Sequence, residues 1–265
     1  MKLSTSRILV SNDDGIHAPG LKSLEKIAKS ISRDVWVVAP ETEQSASGHS
    51  LTLTVPLRVR RVSARKFAVN GTPTDCVLLA INHIMRDHRP DLVLSGVNAG
   101  GNLGEDVTYS GTVAAAMEGA LLGIPAIALS QVRKNGSRVL WSTAEHHGAD
   151  MVRRLVDIGW PSNVLLNVNF PDVHHDHVTG ITATRQGRRK IGDALNTGID
   201  PRGHPYVWIG TERDEDPSFP GSDLEAVHAG MISVTPLGLD LTHKSTLTSL
   251  RKAFPGKARS VAARS

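Results

Sequence analysis

Two adjacent carboxylates in a short polar run, Asn12-Asp13-Asp14-Gly15, follow directly on an apolar stretch that ends at Ser11. Neighbouring like charges repel and desolvate poorly unless a cation lies between them. A plain Asx-Gly turn after a strand is the simplest use of such a run, but His17 crowds the same short loop. Further along, the chain offers the hydroxyls of Thr42, Ser45 and Ser47 in one polar loop, the amide of Asn98, and a Ser110-Gly111-Thr112 run. Carboxylate, hydroxyl and amide oxygens, with no thiolate or compulsory imidazole, make a hard donor set that suits Mg²⁺ or Mn²⁺. Ser110-Gly111-Thr112 stands where a helix should begin. It combines free N–H groups at the positive end of a dipole, a Gly that permits close approach and two flanking hydroxyls, which is the composition of a phosphate cradle; a simple N-cap is the other use of Ser110. Metal site and cradle together point to metal-assisted hydrolysis of a phosphomonoester, with the metal activating water and neutralising phosphoryl charge.

Other chemistries lack their sequence patterns. No G-x-G-x-x-G, no G-x-x-x-x-G-K-[ST] and no G-x-S-x-G occurs, which removes the dinucleotide fingerprint, the P-loop and the nucleophile elbow. A phosphoaspartyl phosphatase needs a second Asp two residues after its nucleophile, and Gly15 holds that position after Asp13. His174-His175-Asp176-His177 could bind a transition metal, although it lies in a Pro-flanked loop with no helical or strand spacing to order it.

The elements that must position these groups read as an α/β fold with a doubly wound, mostly parallel sheet. Arg7 to Ser11 is a buried strand; Leu21, Leu24, Ile27, Ala28 and Ile31 form one face of a helix; Asp34 to Ala39 is a second buried strand closed by Pro40. A β-α-β unit of this kind is right-handed and parallel. The alternation from Leu51 to Arg60 predicts a hairpin or edge excursion. Thr72-Pro73-Thr74-Asp75 announces a helix to about Arg86, with Thr72 as N-cap, Pro73 at N1 and Asp75 at N3. Asp91 to Ser95 is a third strand, Gly96 to Tyr109 a long Gly- and Asn-rich loop, Ser110 to about Gly123 a helix, and Pro125 to Ser130 a fourth strand. Trp141 to Gly159 reads as a helix, and Val164 to Phe170, Ile181 to Thr184, Tyr206 to Ile209 and Met231 to Thr235 as strands. Residues 1–180 are expected to form the catalytic core, 181–245 an elaboration with a returning strand, and 246–265 a basic, flexible tail. Ligands of open α/β sheets bind outside the carboxyl ends of the strands, so Asp13, Asp14, the 41–50 loop, Asn98 and Ser110 to Thr112 should converge there.

Composition narrows the field. The 265 residues carry 30 Lys plus Arg against 26 Asp plus Glu, a formal charge of +4, and the pI is near 9.4. Leu241 to Ser265 hold six basic residues and no acidic one, so residues 1–240 carry −2. General basicity therefore does not draw phosphate to the core. A nucleic-acid-binding protein acting through its basic tail is the competing reading. With only ten Phe, Trp and Tyr, a broad aromatic platform for single strands is not expected. The single Cys76 excludes an intrachain disulfide and a Cys-rich zinc site, and agrees with a reducing compartment. No stretch is apolar enough for a signal peptide or membrane span, and the protein is expected to be cytoplasmic, without membrane contact.

The chain resembles the SurE family, the metal-dependent 5′-nucleotidases described as stationary-phase survival proteins. The resemblance is carried by Ile8-Leu9-Val10-Ser11-Asn12-Asp13-Asp14-Gly15-Ile16-His17-Ala18-Pro19-Gly20, by Val37-Val38-Ala39-Pro40 with Ser45, by Gly71-Thr72-Pro73-Thr74-Asp75-Cys76-Val77, and by the segment from Ser95-Gly96-Val97-Asn98 through Tyr109-Ser110-Gly111-Thr112 to Gly119. It implies hydrolysis of nucleoside 5′-monophosphates to nucleoside and phosphate, with 3′-nucleotides and short polyphosphate as further substrates of some members. It also implies one divalent ion, Mg²⁺ or Mn²⁺, held by Asp13, Asp14, Ser45 and Asn98, and it is the resemblance that selects Ser45 from its loop. Asp13 or Asp14 would take the proton from the attacking water, and Asn98, Ser110, Gly111 and Thr112 would meet the phosphate. Family members are dimers or tetramers joined by C-terminal arms, which implies an exchange arm in Gln186 to Asp223. The loop Glu41-Thr42-Glu43-Gln44 is more acidic than the form usual in the family.

Overall fold

A computed structural model describes residues 1–134, 137–191, 195–210 and 213–255. The strands are β1 (Arg7–Ser11), β2 (Asp34–Pro40), β3 (Val59–Ser63), β4 (Lys66–Val69), β5 (Leu92–Ala99), β6 (Ala126–Gln131), β7 (Val164–Phe170), β8 (Gly180–Ala183), β9 (Arg189–Ile191), β10 (Leu195–Ile199), β11 (Pro205–Ile209), β12 (Arg213–Glu215) and β13 (Met231–Gly238). The helices are α1 (Pro19–Ile31), α2 (Pro73–Leu79), α3 (Gly111–Leu121), α4 (Trp141–Ile158), α5 (Asp223–His228) and α6 (Lys244–Ala253).

Nine strands form one sheet in the order β3-β4-β2-β1-β5-β6-β7-β13-β8. From β4 to β7 every neighbouring pair is parallel, while β3 and β13 pair antiparallel to β4 and β7. Period-2 alternation divides the core. Ile8, Val10, Leu92, Leu94, Ile127 and Leu129 face the helices α1 and α4, whereas Leu9, Val93, Ala126 and Ala128 face α2 and α3. The chain leaves β1 for β2 on one side and returns to β5 on the other, so the crevice between the carboxyl ends of β1 and β5 is a topological switch point.

The predicted helix start at Thr72 carries a complete capping box: the Asp75 amide donates to Thr72 Oγ1 at 3.1 Å and the Thr72 amide to Asp75 Oδ2 at 2.9 Å. That helix continues as a wider π turn over Ala80–Ile84. Three expectations differ from the fold. The alternating residues 51–55 join no strand and leave Leu53 85% exposed; the hairpin forms later, from β3 and β4, where β4 pairs with the open edge of β2. The loop expected at Gly96 is strand as far as Ala99, where Asn98 and Ala99 pair with Ser130 and Gln131 across a register shift. Gly96 makes the passage possible, since its φ is +124° and a Cβ there would sit 2.1 Å from the Leu129 carbonyl oxygen. The first part of the expected flexible tail is helix α6, which buries none of its residues; 256–265 lie outside the described residues. Among the described residues no helix is long and apolar enough to cross a membrane.

The β10–β11 hairpin stands apart from the main sheet, with Leu195, Ile199, Val207, Trp208 and Ile209 all more than 60% exposed.

Candidate active site at the sheet switch point

Where β1 ends, Asn12 is fully buried and its Nδ2 donates to the Gly15 carbonyl at 3.1 Å, closing the tight loop that turns Asp13 and Asp14 into the crevice. Asp13 is only 5% exposed. Its Oδ1 accepts from Thr112 Oγ1 at 2.5 Å, and a Cβ on Gly111 would lie 2.7 Å from Asp13 Cβ. Strand end and helix start are thus in direct contact, and only a residue without a side chain fits between them. Asp14 Oδ2 lies 3.4 Å from the Ala99 amide, which sets it beside the end of β5 and its Asn98.

Burial and mutual repulsion both act against charge on the pair. Burial raises the Asp13 carboxyl above its ordinary range, against hydrogen bonds from the Thr112 hydroxyl and amide, and the Glu43 charge adds to the rise. Burial, then the adjacent charge of Asp13, push Asp14 up to about 6. A divalent ion would reverse that repulsion and favour both carboxylates ionised. The oxygen donors fit a hard cation; nothing in the set calls for a softer one.

The predicted residues do not all behave alike. Asp13, Gly111 and Thr112 meet directly, Asp14 lies against the Ala99 amide, and Asn98 stands next to Ala99 with its Nδ2 donating to the Gly100 carbonyl at 2.9 Å. The Thr112 hydroxyl is fully buried and committed to Asp13, while Ser110 Oγ accepts from the Val113 amide at 3.0 Å as an N-cap. Both hydroxyls of the cradle thus serve the protein. Ser45 is exposed, with its hydroxyl donating to Glu43 Oε1 at 2.7 Å. Its loop is nonetheless fastened to the site, because the Gln44 amide donates to the Asp13 carbonyl at 2.8 Å, the Gly48 amide to the Tyr109 carbonyl at 3.1 Å, and His49 Nε2 meets Glu118 Oε2 of α3 at 3.0 Å.

Two groups of residues near the site carry no mark in the sequence pattern used above. Below the loop that follows β5, Asn102 lies in a buried amide network: its amide donates to Asn169 Oδ1 at 2.9 Å, its Nδ2 to Ser130 Oγ at 2.8 Å, and Asn167 Nδ2 to its carbonyl at 2.8 Å. Beyond the end of β6, Arg133 and Lys134 line a cavity of about 470 Å³ shared with Asp172 and Glu215, a volume suited to a small ligand. The charge of Arg133 also lowers the pKa of Asp14, so this wall of the cavity lies within electrostatic range of the carboxylate pair. The strand-end rule applied to β6 as it was to β1 and β5 would have found both basic residues. The amide network carries no such signal, because its members come from three separate elements.

The family model described as "Survival protein SurE" matches residues 8–193. A protein of Paramagnetospirillum magneticum named "5′-nucleotidase SurE" is 64% identical over 251 residues, covering 95% of this chain and 96% of that one. A protein of Rhodospirillum rubrum with the same name is 56% identical over 95% of this chain and 97% of its own. Among solved structures, the SurE protein from Aquifex aeolicus superposes with a TM-score of 0.81 at 42% identity, covering 93% of this chain and 99% of that chain.

Proposed function

The chain belongs to the SurE family, and from that premise we infer that it is a metal-dependent 5′-nucleotidase, hydrolysing nucleoside 5′-monophosphates to nucleoside and phosphate. The observation that carries the reading is the carboxylate pair at the switch point, its buried member Asp13 bonded to the start of α3, with a ligand-sized cavity whose Arg133 acts on Asp14 through its charge. Relatives named as nucleotidases at 52–64% identity support the enzyme over a nucleic-acid binder working through its tail.

Asp13, Asp14, Ser45 and Asn98 would hold one divalent ion, Mg²⁺ or Mn²⁺; for Ser45 this would mean exchanging its bond to Glu43 for the ion. When bound, the ion supplies Lewis-acid charge neutralisation at the phosphoryl oxygens and a water of lowered pKa. The residues do the rest. Thr112 fixes the Asp13 carboxylate in one rotamer by donating to Oδ1, which leaves Oδ2 for the site. Asp13 or Asp14 receives the proton of the attacking water, which reaches phosphorus directly, since no side chain here suits a covalent phospho-intermediate. The phosphate lies against the helix start at Gly111, within reach of Asn98, where the dipole of α3 favours negative charge. Ser110 and Thr112 contribute by shaping that helix start. The nucleoside occupies the adjoining cavity, with Arg133 and Lys134 at its wall. Some 3′-nucleotides and short polyphosphate present the same terminal phosphoryl group and are accepted as well.

The protein works in the cytoplasm, where its single buried Cys76 stays reduced. It assembles as a homodimer or homotetramer through an exchange arm that includes the exposed apolar β10–β11 hairpin.

The test is phosphate release from AMP and GMP. Activity should vanish in EDTA, return with Mn²⁺ or Mg²⁺, and fall at least about a thousandfold in Asp13→Asn with the melting curve of the folded protein kept. Undiminished turnover by Asp13→Asn, or none with any divalent ion, would sink the assignment.

A further inference from the structure

The turn after β7 and the second turn of α4 bring five imidazoles together, His146 and His147 from the helix and His174, His175 and His177 from the turn. The His175 ring stacks on that of His146 with centroids 4.3 Å apart and planes inclined by 15°, and the His174 centroid lies 4.1 Å from that of His175. Between the two turn histidines sits one carboxylate: Asp176 Oδ2 is 3.2 Å from His174 Nδ1, and Oδ1 is 2.9 Å from His175 Nδ1. His175 Nδ1 is buried, and despite that short contact its geometry is not that of a hydrogen bond. One donor atom from each of the three residues lies within 4.8 Å of the other two.

These separations can be set against a metal's needs. A tetrahedral ion with bonds of about 2.1 Å has ligands roughly 3.4 Å apart. Both nitrogen–oxygen separations are already close to that, and rotation of the exposed His174 ring closes the rest. Two imidazoles and a carboxylate differ from the all-oxygen set at the switch point, and favour a borderline transition-metal dication over Mg²⁺. The surroundings supply the outer contacts that such ligands need: His146 fixes the plane of the His175 ring, and His147 Nε2 is 3.0 Å from the His175 carbonyl oxygen.

We propose that His174, His175 and Asp176 form a second metal site, for Zn²⁺ or a dication of similar chemistry, with water completing the shell. The ion clips the turn after β7 to α4. Thr143 Oγ1 already joins these elements by donating to the Val173 carbonyl at 2.6 Å, and Val173 lines the cavity that holds Arg133 and Lys134, so the clip stiffens that wall.

The experiment uses the full chain, stripped with EDTA and then saturated with Mg²⁺ to occupy the oxygen site. Co²⁺ is titrated and followed by visible absorption, and Zn²⁺ uptake is measured by equilibrium dialysis. A single equivalent of Co²⁺ with tetrahedral absorption, displaced by Zn²⁺, is expected in the wild type and in Asp13→Asn. Asp176→Ala and the exposed-ring variant His174→Ala should each bind at least about tenfold more weakly, while their metal-free melting curves and Mg²⁺-supported turnover stay at wild-type values. Zn²⁺ uptake no greater than the Mg²⁺ site accounts for, or variants that bind as tightly as wild type, would overturn the proposal.

Discussion

Gly111→Ala sets two effects of opposite sign against each other at the first residue of α3. In an ordinary helix the change favours the helix by up to about 1 kcal/mol. Here the new Cβ would stand 2.7 Å from Asp13 Cβ, 3.0 Å from Asp13 Oδ2 and 3.1 Å from Pro73 Cγ. None of these can swing aside. Asp13 is held at its carbonyl by Gln44 and at its carboxylate by Thr112, and Pro73 is a ring in the first turn of α2. Restoring ordinary contact separates strand end and helix start by roughly 0.5–1 Å, and overpacking of this kind costs about 1–3 kcal/mol. The clash therefore wins narrowly in stability, with a net loss on the order of 1 kcal/mol and a melting point lower by a few degrees. Its effect on catalysis is larger, because a displacement of about 1 Å at a reacting group costs up to about a hundredfold. Phosphate release from AMP should show kcat/KM reduced roughly 10- to 100-fold. Gly119→Ala, on the same helix, is the control: its Cβ would meet Val93 Cγ2 of β5 at 2.8 Å, so it should cost similar stability and leave kcat/KM unchanged. Wild-type kcat/KM in Gly111→Ala, or equal losses in both variants, would refute the claim that this contact positions Asp13.

Other consequences can be measured separately. Asp14 titrates near 6 in the metal-free fold, above its unfolded value of 3.8, so the stability it contributes is fully present below pH 3.8 and is lost as pH rises through about 6. In EDTA at pH 7.5, Asp14→Asn should therefore melt above wild type, by about 1–2 kcal/mol once its partial exposure is allowed for, and addition of Mn²⁺ should raise only the wild type; a lower melting point for the variant at pH 7.5 would contradict the sign. Arg133→Ala should raise KM for AMP about tenfold with kcat within about twofold, as read from steady-state kinetics, if it meets bound nucleotide rather than the reacting group. Replacing both Val207 and Trp208 by Ser should shift the species seen by light scattering from dimer or tetramer toward monomer, and an unchanged mass would exclude the hairpin from the interface.

How far the residues speak for themselves depends on the range of the interaction. β1, β2, α1 and the start of α2 could be read directly because their signals are local: a β-branched run, a 3.6-residue apolar stripe, and a Thr-Pro-x-Asp cap whose groups satisfy one another within three residues. Residues 51–55 misled because alternation records only which way side chains point, and a strand also needs a free edge to bond. Gly96 to Ala99 misled in the opposite direction, since Gly and Asn are turn formers in isolation and become strand only because β6 lies alongside to pair with them.

The same division runs through the site. The sequence by itself determined the donor types, the α/β periodicities that send Asp13 and Asp14 to a strand end, and the helix start at Ser110, all of them consequences of covalent order and short-range hydrogen bonding. Tertiary structure alone decided that Thr112 serves Asp13 across 99 positions of sequence, that Ser45 bonds Glu43, that the charge of Arg133 acts on Asp14, and that two turns distant in the chain stack their histidines. Those choices depend on burial and on which elements close around one another, and desolvation, the force that raises Asp14 to about 6, exists only once the sheet has formed.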